Sequence, residues 1–181
     1  MAELNSKHAD FYADPSIYDI LHAPGTADDV RGLIRVVESS PLAKVKGAWL
    51  EPACGTGRFL RAVARWHGRR KRTDRTFRGI GFDLSPAMVA YADERAKGAG
   101  FVKELTHFAA DMRDFDTAPG TAFKDGRPKI AVAFNLINTI RHLETDAAMI
   151  AHLRAVGRVL ARGGRNKVGH PHKANGMEEE T

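Results

Sequence analysis

The residues that can do chemistry gather at two places. Leu50-Glu51-Pro52-Ala53-Cys54-Gly55-Thr56-Gly57-Arg58-Phe59 reads as a strand end, a glycine turn and a helix start. Gly79-Ile80-Gly81-Phe82-Asp83 reads as a second strand ending in an acid. Glycines let backbone approach a ligand, and an acid at the next strand end accepts hydrogen bonds from ribose hydroxyls. Together they are the equipment for holding an adenosine-containing cofactor.

The details argue against a dinucleotide. Its fingerprint needs a third glycine, which packs helix close to strand. Here Gly55-Thr56-Gly57 is followed by Arg58, Phe59 and Leu60, so Leu60 stands where a nicotinamide oxidoreductase requires glycine. Asp83 also lies further from the turn than the usual ~20 residues. An inserted basic loop accounts for the extra length.

Elements of the right type surround these residues. Val30, Leu33, Ile34 and Val37 recur at helical spacing behind Asp28 and Asp29, and Pro41 ends that helix. Strands are expected at about 47–50, 78–82, 106–110 and 130–134. A helix follows the glycine turn over about 58–66, with Phe59, Leu60 and Val63 on one face. Ser85 caps the next, with Pro86 at its first position, and Gly98-Ala99-Gly100 stops it near Lys97. The run Ile130-Ala131-Val132-Ala133-Phe134 suits a strand buried on both faces. A last helix over about 146–161 turns Ile150, Leu153, Val156, Val159 and Leu160 to the sheet, and Gly163-Gly164 caps it. Alternating strands and helices predict an α/β fold, a doubly wound, mostly parallel sheet with helices on both faces.

At this point the chain resembles the class I S-adenosylmethionine-dependent methyltransferases, over roughly 18–164. The resemblance rests on Glu51 to Gly57, Asp83-Leu84-Ser85-Pro86-Ala87-Met88, Ala110-Asp111-Met112 and Asn135-Leu136-Ile137-Asn138-Thr139, in order at strand ends. It implies a Rossmann-like fold with S-adenosylmethionine as cofactor. Gly55 and Gly57 then approach the methionine half, with Ala53 and Cys54 beside them in the turn. Glu51 positions the ammonium group, directly or through water. Asp83 accepts both ribose hydroxyls. Leu84 and Met112 sandwich the adenine, with Met88 nearby, and Asp111 accepts from its amino group. Asn135 lines the cofactor near the sulfonium. Ser85 is a helix cap, and Cys54 reads as a turn residue rather than a nucleophile. No catalytic base is assigned; Arg141 and His142 lie where an acceptor should sit. Tyr12 and Tyr18 are either a lid or anchors for the N-terminal segment.

Composition bounds the partners. One cysteine excludes an internal disulfide and fits a reducing cytoplasm. No uncharged run approaches the ~18 residues of a membrane span. The net charge of +6 is concentrated at 65–78, where Arg65, Arg69, Arg70, Lys71, Arg72, Arg75 and Arg78 face one acid, Asp74. That loop is the sole support for a nucleic-acid partner, and no aromatic ladder runs through it for base stacking. A small-molecule methyl acceptor is expected instead, its identity unknown. No metal site is expected: His170 and His172 have no third ligand nearby.

After Gly164 the pattern fails. The family's sheet continues with a fifth strand and an antiparallel hairpin. Residues 165–181 hold two β-branched residues, Val168 and the last residue Thr181, with a proline and a polar remainder. The reading is a cofactor domain over 1–164 and a disordered tail over 165–181, in a C-terminally truncated or frame-shifted member lacking the last strands. The fourth strand would then be an exposed apolar edge open to self-association. A non-catalytic adenosine-binding module or inactive fragment is the alternative.

Overall fold

A computed structural model of the chain describes residues 14–69, 77–125, 127–137 and 139–168. Helix α1 (Pro15–His22) starts where the Asp14 carboxylate accepts the Ser16 N–H at 2.8 Å, with Pro15 at its first position. Helix α2 (Thr26–Glu38) buries Val30, Leu33, Ile34 and Val37, the expected stripe. Pro41 opens a 3-10 turn (Pro41–Lys44) rather than continuing the helix. Then follow β1 (Ala48–Pro52), α3 (Arg58–Arg69), β2 (Gly79–Asp83), α4 (Pro86–Gly98), β3 (Leu105–Ala109), β4 (Ile130–Asn135), α5 (Asp146–Val159) and β5 (Leu160–Val168).

The sheet is parallel throughout, in the order β3-β2-β1-β4-β5. β1 and β4 are buried along their whole length, as strands covered on both faces must be. On one face α2 and α3 pack Leu33, Ile34, Phe59, Leu60 and Val63 against Trp49 and Phe134. On the other, Ala155, Val156 and Val159 of α5 cover Leu50, Ile80, Phe82 and Ala133. The connection from β3 to β4 contains no helix among the described residues. Phe115 and Phe123 fill that place, with Phe115 stacked on Phe82 at a ring distance of 4.4 Å.

The sheet does not end at β4. Residues 160–168 form a fifth strand, with Val132 opposite Arg165 and Asn135 opposite Val168. Residues 165–168, expected in a tail, thus belong to the sheet, and 169–181 lie outside the described residues. Gly163-Gly164, expected as a helix cap, lies inside the strand. A Cβ on Gly164 would meet the Ile130 carbonyl oxygen at 2.6 Å, so glycine lets β5 close on β4 where their register shifts. β4 is therefore an inner strand. The edge is β5, and its exposed Arg162, Arg165 and Lys167 disfavour edge pairing with a second copy.

Helix α5 also turns differently from the expectation. Val156 and Val159 are buried, but Ile150 and Leu153 are each 47% exposed, and Leu160 begins β5. His152 takes the inward position, because its Nδ1–H donates to the Met112 carbonyl at 2.9 Å. Among the described residues no helix is long and apolar enough to cross a membrane.

Candidate functional site

The direction of chain order along the sheet switches between β1 and β4. In open parallel sheets ligands bind in the crevice at such a switch point. A cleft of about 860 Å³ opens at this point, walled by the turns after β1, β2 and β3, by residues 135–137 and by Thr139, His142 and neighbours up to Ala148.

The turn after β1 has an unusual backbone. Ala53, Gly55 and Gly57 all have positive φ, at +49°, +52° and +69°. For Ala53 that is a sparsely populated conformation, of the kind concentrated at binding sites. Hydrogen bonds hold it: the Cys54 N–H donates to the Phe82 carbonyl at 2.8 Å, and the Gly57 N–H to the Cys54 carbonyl at 2.8 Å. The Gly55 N–H donates to Asp83 Oδ2 at 2.8 Å, while Asp83 Oδ1 accepts the Ser85 N–H at 2.9 Å. Each Asp83 oxygen keeps a further lone pair for a ligand.

Glu51 is buried beneath the turn, where Oε2 accepts the Leu60 N–H at 3.3 Å. Burial raises its pKa to about 8, although Arg58 and Arg61 favour the carboxylate. Burial also pushes the Cys54 thiol up, helped by Glu51 and Asp83, so this cysteine is not an activated nucleophile. Arg58 donates to Thr26 Oγ1 and lies 3.9 Å over the Phe59 ring.

Asp111 turns its carboxylate onto Arg113. Its Oδ1 accepts from the Arg113 backbone N–H at 2.8 Å, and its Oδ2 from Nη2 at 2.6 Å. Those bonds hold the carboxyl below the usual range. Asn135 is buried at the end of β4; its Nδ2 donates to the Pro52 carbonyl at 3.2 Å, while Oδ1 has no donor among the described residues.

Glu51, Ala53, Cys54, Gly55, Asp83, Leu84, Met88, Asp111, Met112 and Asn135 all line the cleft. Leu84 is 72% exposed and Met88 is buried. Gly57 lies on the far side of the turn, where a Cβ would meet His107 Nε2 at 3.0 Å and Ala92 Cβ at 3.1 Å. Tyr18, His22 and His142 also line the cleft. Sequence reasoning missed Thr56, Arg113, His107, His152 and the Asp19–Arg61 ion pair. Arg113 bonds Asp111 two residues away; the signals of the others are contacts between distant segments, and no spacing in the chain announces them. Tyr12, Asn138, residues 70–76 of the basic loop, and both His170 and His172 lie outside the described residues.

A parallel sheet in this order, with a glycine turn after β1 and an acid after β2, defines a Rossmann-like nucleoside-binding fold. Residues 50–164 match the family model described as "Methyltransferase domain", and the chain belongs to that family. Solved structures agree on the fold. DesVI of Streptomyces venezuelae superposes with a TM-score of 0.62 at 22% identity, over 89% of this chain and 56% of its own. CalS10, an amino pentose methyltransferase from Micromonospora echinaspora, gives 0.60 at 23%, over 82% and 53%. KedS8, a sugar N-methyltransferase from Streptoalloteichus sp., gives 0.60 at 23%, over 83% and 52%. The chain thus spans about half the length of these structures. No curated protein matches it in sequence.

Proposed function

We propose that the chain binds S-adenosylmethionine in this cleft and transfers its methyl group to a small-molecule amine. The observation that carries the reading is Asp83. One carboxylate joins the glycine turn to the start of α4 and still faces the cleft with free lone pairs. The other residues fit the same ligand. The buried Asn135 Oδ1 has no donor among the described residues, and the positive-φ turn at 53–57 lets backbone approach closely.

When bound, the cofactor would supply a methyl group on a sulfonium sulfur, which would depart as a neutral thioether as an acceptor lone pair displaced it in line. The chain's part is to hold the two in line and exclude water. Asp83 would accept the ribose hydroxyls, and Leu84 and Met112 would bracket the adenine. Asp111, oriented by Arg113, would take the amino group. Glu51 would face the ammonium end, with Ala53, Cys54 and Gly55 as the cradle. Gly57 would act from below, seating the turn against His107. His142 on the cleft wall would be a candidate for taking the proton an amine must lose.

The amine class draws on the solved neighbours: CalS10 is described as an amino pentose methyltransferase, KedS8 as a sugar N-methyltransferase and MtfA as a glycopeptide N-methyltransferase. The cofactor unit, expected over 1–164, we extend through Val168, because β5 covers the β4 edge. A cytoplasmic location belongs to this reading, supported by the unpaired thiol of Cys54.

The test is calorimetric titration of the purified chain with S-adenosylmethionine and S-adenosylhomocysteine, with Asp83→Ala as control. Saturable binding abolished by the substitution is expected. A folded chain that binds neither ligand overturns the proposal.

A further inference from the structure

Asp19 has no counterpart in the reading above. It sits on α1, in a segment far in sequence from the sheet, yet it is only 8% exposed. Its Oδ1 accepts the Thr56 hydroxyl at 2.6 Å. Both of its oxygens accept from Arg61 Nη2, each at 3.0 Å. Arg61 closes the loop, since its Nη1 donates to the Thr56 carbonyl. Arg95 approaches from α4, with Nε 3.7 Å from Asp19 Oδ2.

Thr56 stands between the two glycines of the turn, so this ion pair grips the turn itself. The residue next to Asp19 is Tyr18, whose ring lies 3.7 Å from where a Cβ on Gly55 would stand. Tyr18 stacks on His22 at 4.0 Å, and both line the cleft. A buried charge pair is a costly way to fasten a helix, since apolar packing of similar volume serves as well or better. What the pair adds is geometry: a carboxylate fixes a hydroxyl and a guanidinium at set directions.

We infer that Asp19 is a positioning residue for the amino-acid end of the cofactor. It locks α1 to the glycine turn, so that the Tyr18–His22 wall and the turn form one surface. The inference rests on the cofactor reading above. By linkage, a ligand that spans the wall and the turn must tighten the docking of α1 by the same factor that docking tightens the ligand. Adenosine, which lacks the amino-acid end, reaches only the Asp83 side.

The experiment titrates the full chain, Asp19→Asn, and the paired variant Asp19→Leu with Arg61→Met, using S-adenosylhomocysteine and adenosine separately. The paired variant removes both members of the buried ion pair together, so neither charge is left without the other. Expected is a loss of S-adenosylhomocysteine affinity of about tenfold or more in both variants, with adenosine affinity held within about twofold. Amide exchange over α1 in the unsubstituted chain should slow when S-adenosylhomocysteine binds. A folded paired variant that binds S-adenosylhomocysteine like the unsubstituted chain overturns the inference alone, as does equal loss for both ligands. If the paired variant fails to fold, unaltered α1 exchange in the liganded, unsubstituted chain overturns it. If the unsubstituted chain binds neither ligand, the cofactor reading itself falls, and this inference with it.

Discussion

Asp83 holds Gly55 across the mouth of the cleft: Oδ2 accepts the Gly55 N–H at 2.8 Å, while Oδ1 accepts the Ser85 N–H at 2.9 Å. The carboxylate is an acceptor on both sides, and both partners are donors. An amide cannot replace it, because its NH₂ group would face one of those N–H groups. Asp83→Asn should therefore lose about 1–3 kcal/mol of stability, at least as much as Asp83→Ala, which lets water in. Urea denaturation of the two variants checks this. An Asp83→Asn protein as stable as the unsubstituted chain would show that the two N–H groups do not depend on the charge.

The glycines divide into two kinds, and substitution separates them. Gly57 has φ of +69°, and a Cβ there would press on His107 Nε2 at 3.0 Å. Gly57→Ala should cost about 1–3 kcal/mol from strain and contact together. Gly32, inside α2, has nothing within 4 Å of its Cβ position. Gly32→Ala should gain about 0.5–1 kcal/mol through helix propensity. Opposite shifts in thermal midpoint are the expected result; equal shifts would refute the argument.

Three buried groups shape stability between about pH 5 and 8; the raised Cys54 thiol acts only above that range. Burial raises Glu51 from 4.5 to about 8. The folded chain therefore holds a proton there that the unfolded chain has lost, and stability falls as pH climbs from about 4.5 through about 8. Burial lowers His107 and His152 below their usual 6.5, although Asp93, accepting from His107 Nδ1 at 2.8 Å, opposes it for His107. Their contribution is present above about 6.5 and is lost as pH falls through their folded values. Below about 6.5 the two histidines oppose Glu51, and between about 6.5 and 8 the Glu51 slope stands without them. Stability should therefore decline between about pH 6.5 and 8, as measured by denaturant unfolding across pH 5–8. Glu51→Gln should flatten that decline. A decline that survives the substitution would exclude Glu51 as its cause.

What the chain reveals by itself follows from how local each signal is. Val30, Leu33, Ile34 and Val37 repeat every turn of α2, so their burial is written in their spacing. The Gly55–Gly57 turn and Asp83 are recognisable because each marks a strand end, where backbone geometry restricts the residue type. Asp19 and Arg61 are invisible by the same logic: they are 42 positions apart and meet only once the sheet has formed. His152 looks like one more polar residue on a helix until the Met112 carbonyl supplies its partner. β5 is hidden for a different reason. Its residues have little strand propensity, and pairing with the buried β4 decides the matter instead.

The composition of β5 leads to the last prediction. Arg162, Arg165 and Lys167 are exposed on the outermost strand, whose outer N–H and C=O groups have no neighbouring strand among the described residues. Repulsion between like charges on two antiparallel copies, and the cost of desolvating them, oppose edge pairing. Replacing Arg165 and Lys167 with valine removes that barrier and raises strand propensity. The double variant should self-associate at concentrations where the unsubstituted chain sediments as a monomer, and added salt should push the unsubstituted chain the same way by screening its charges. Monomeric behaviour of the double variant at every concentration would show that something other than charge protects the edge.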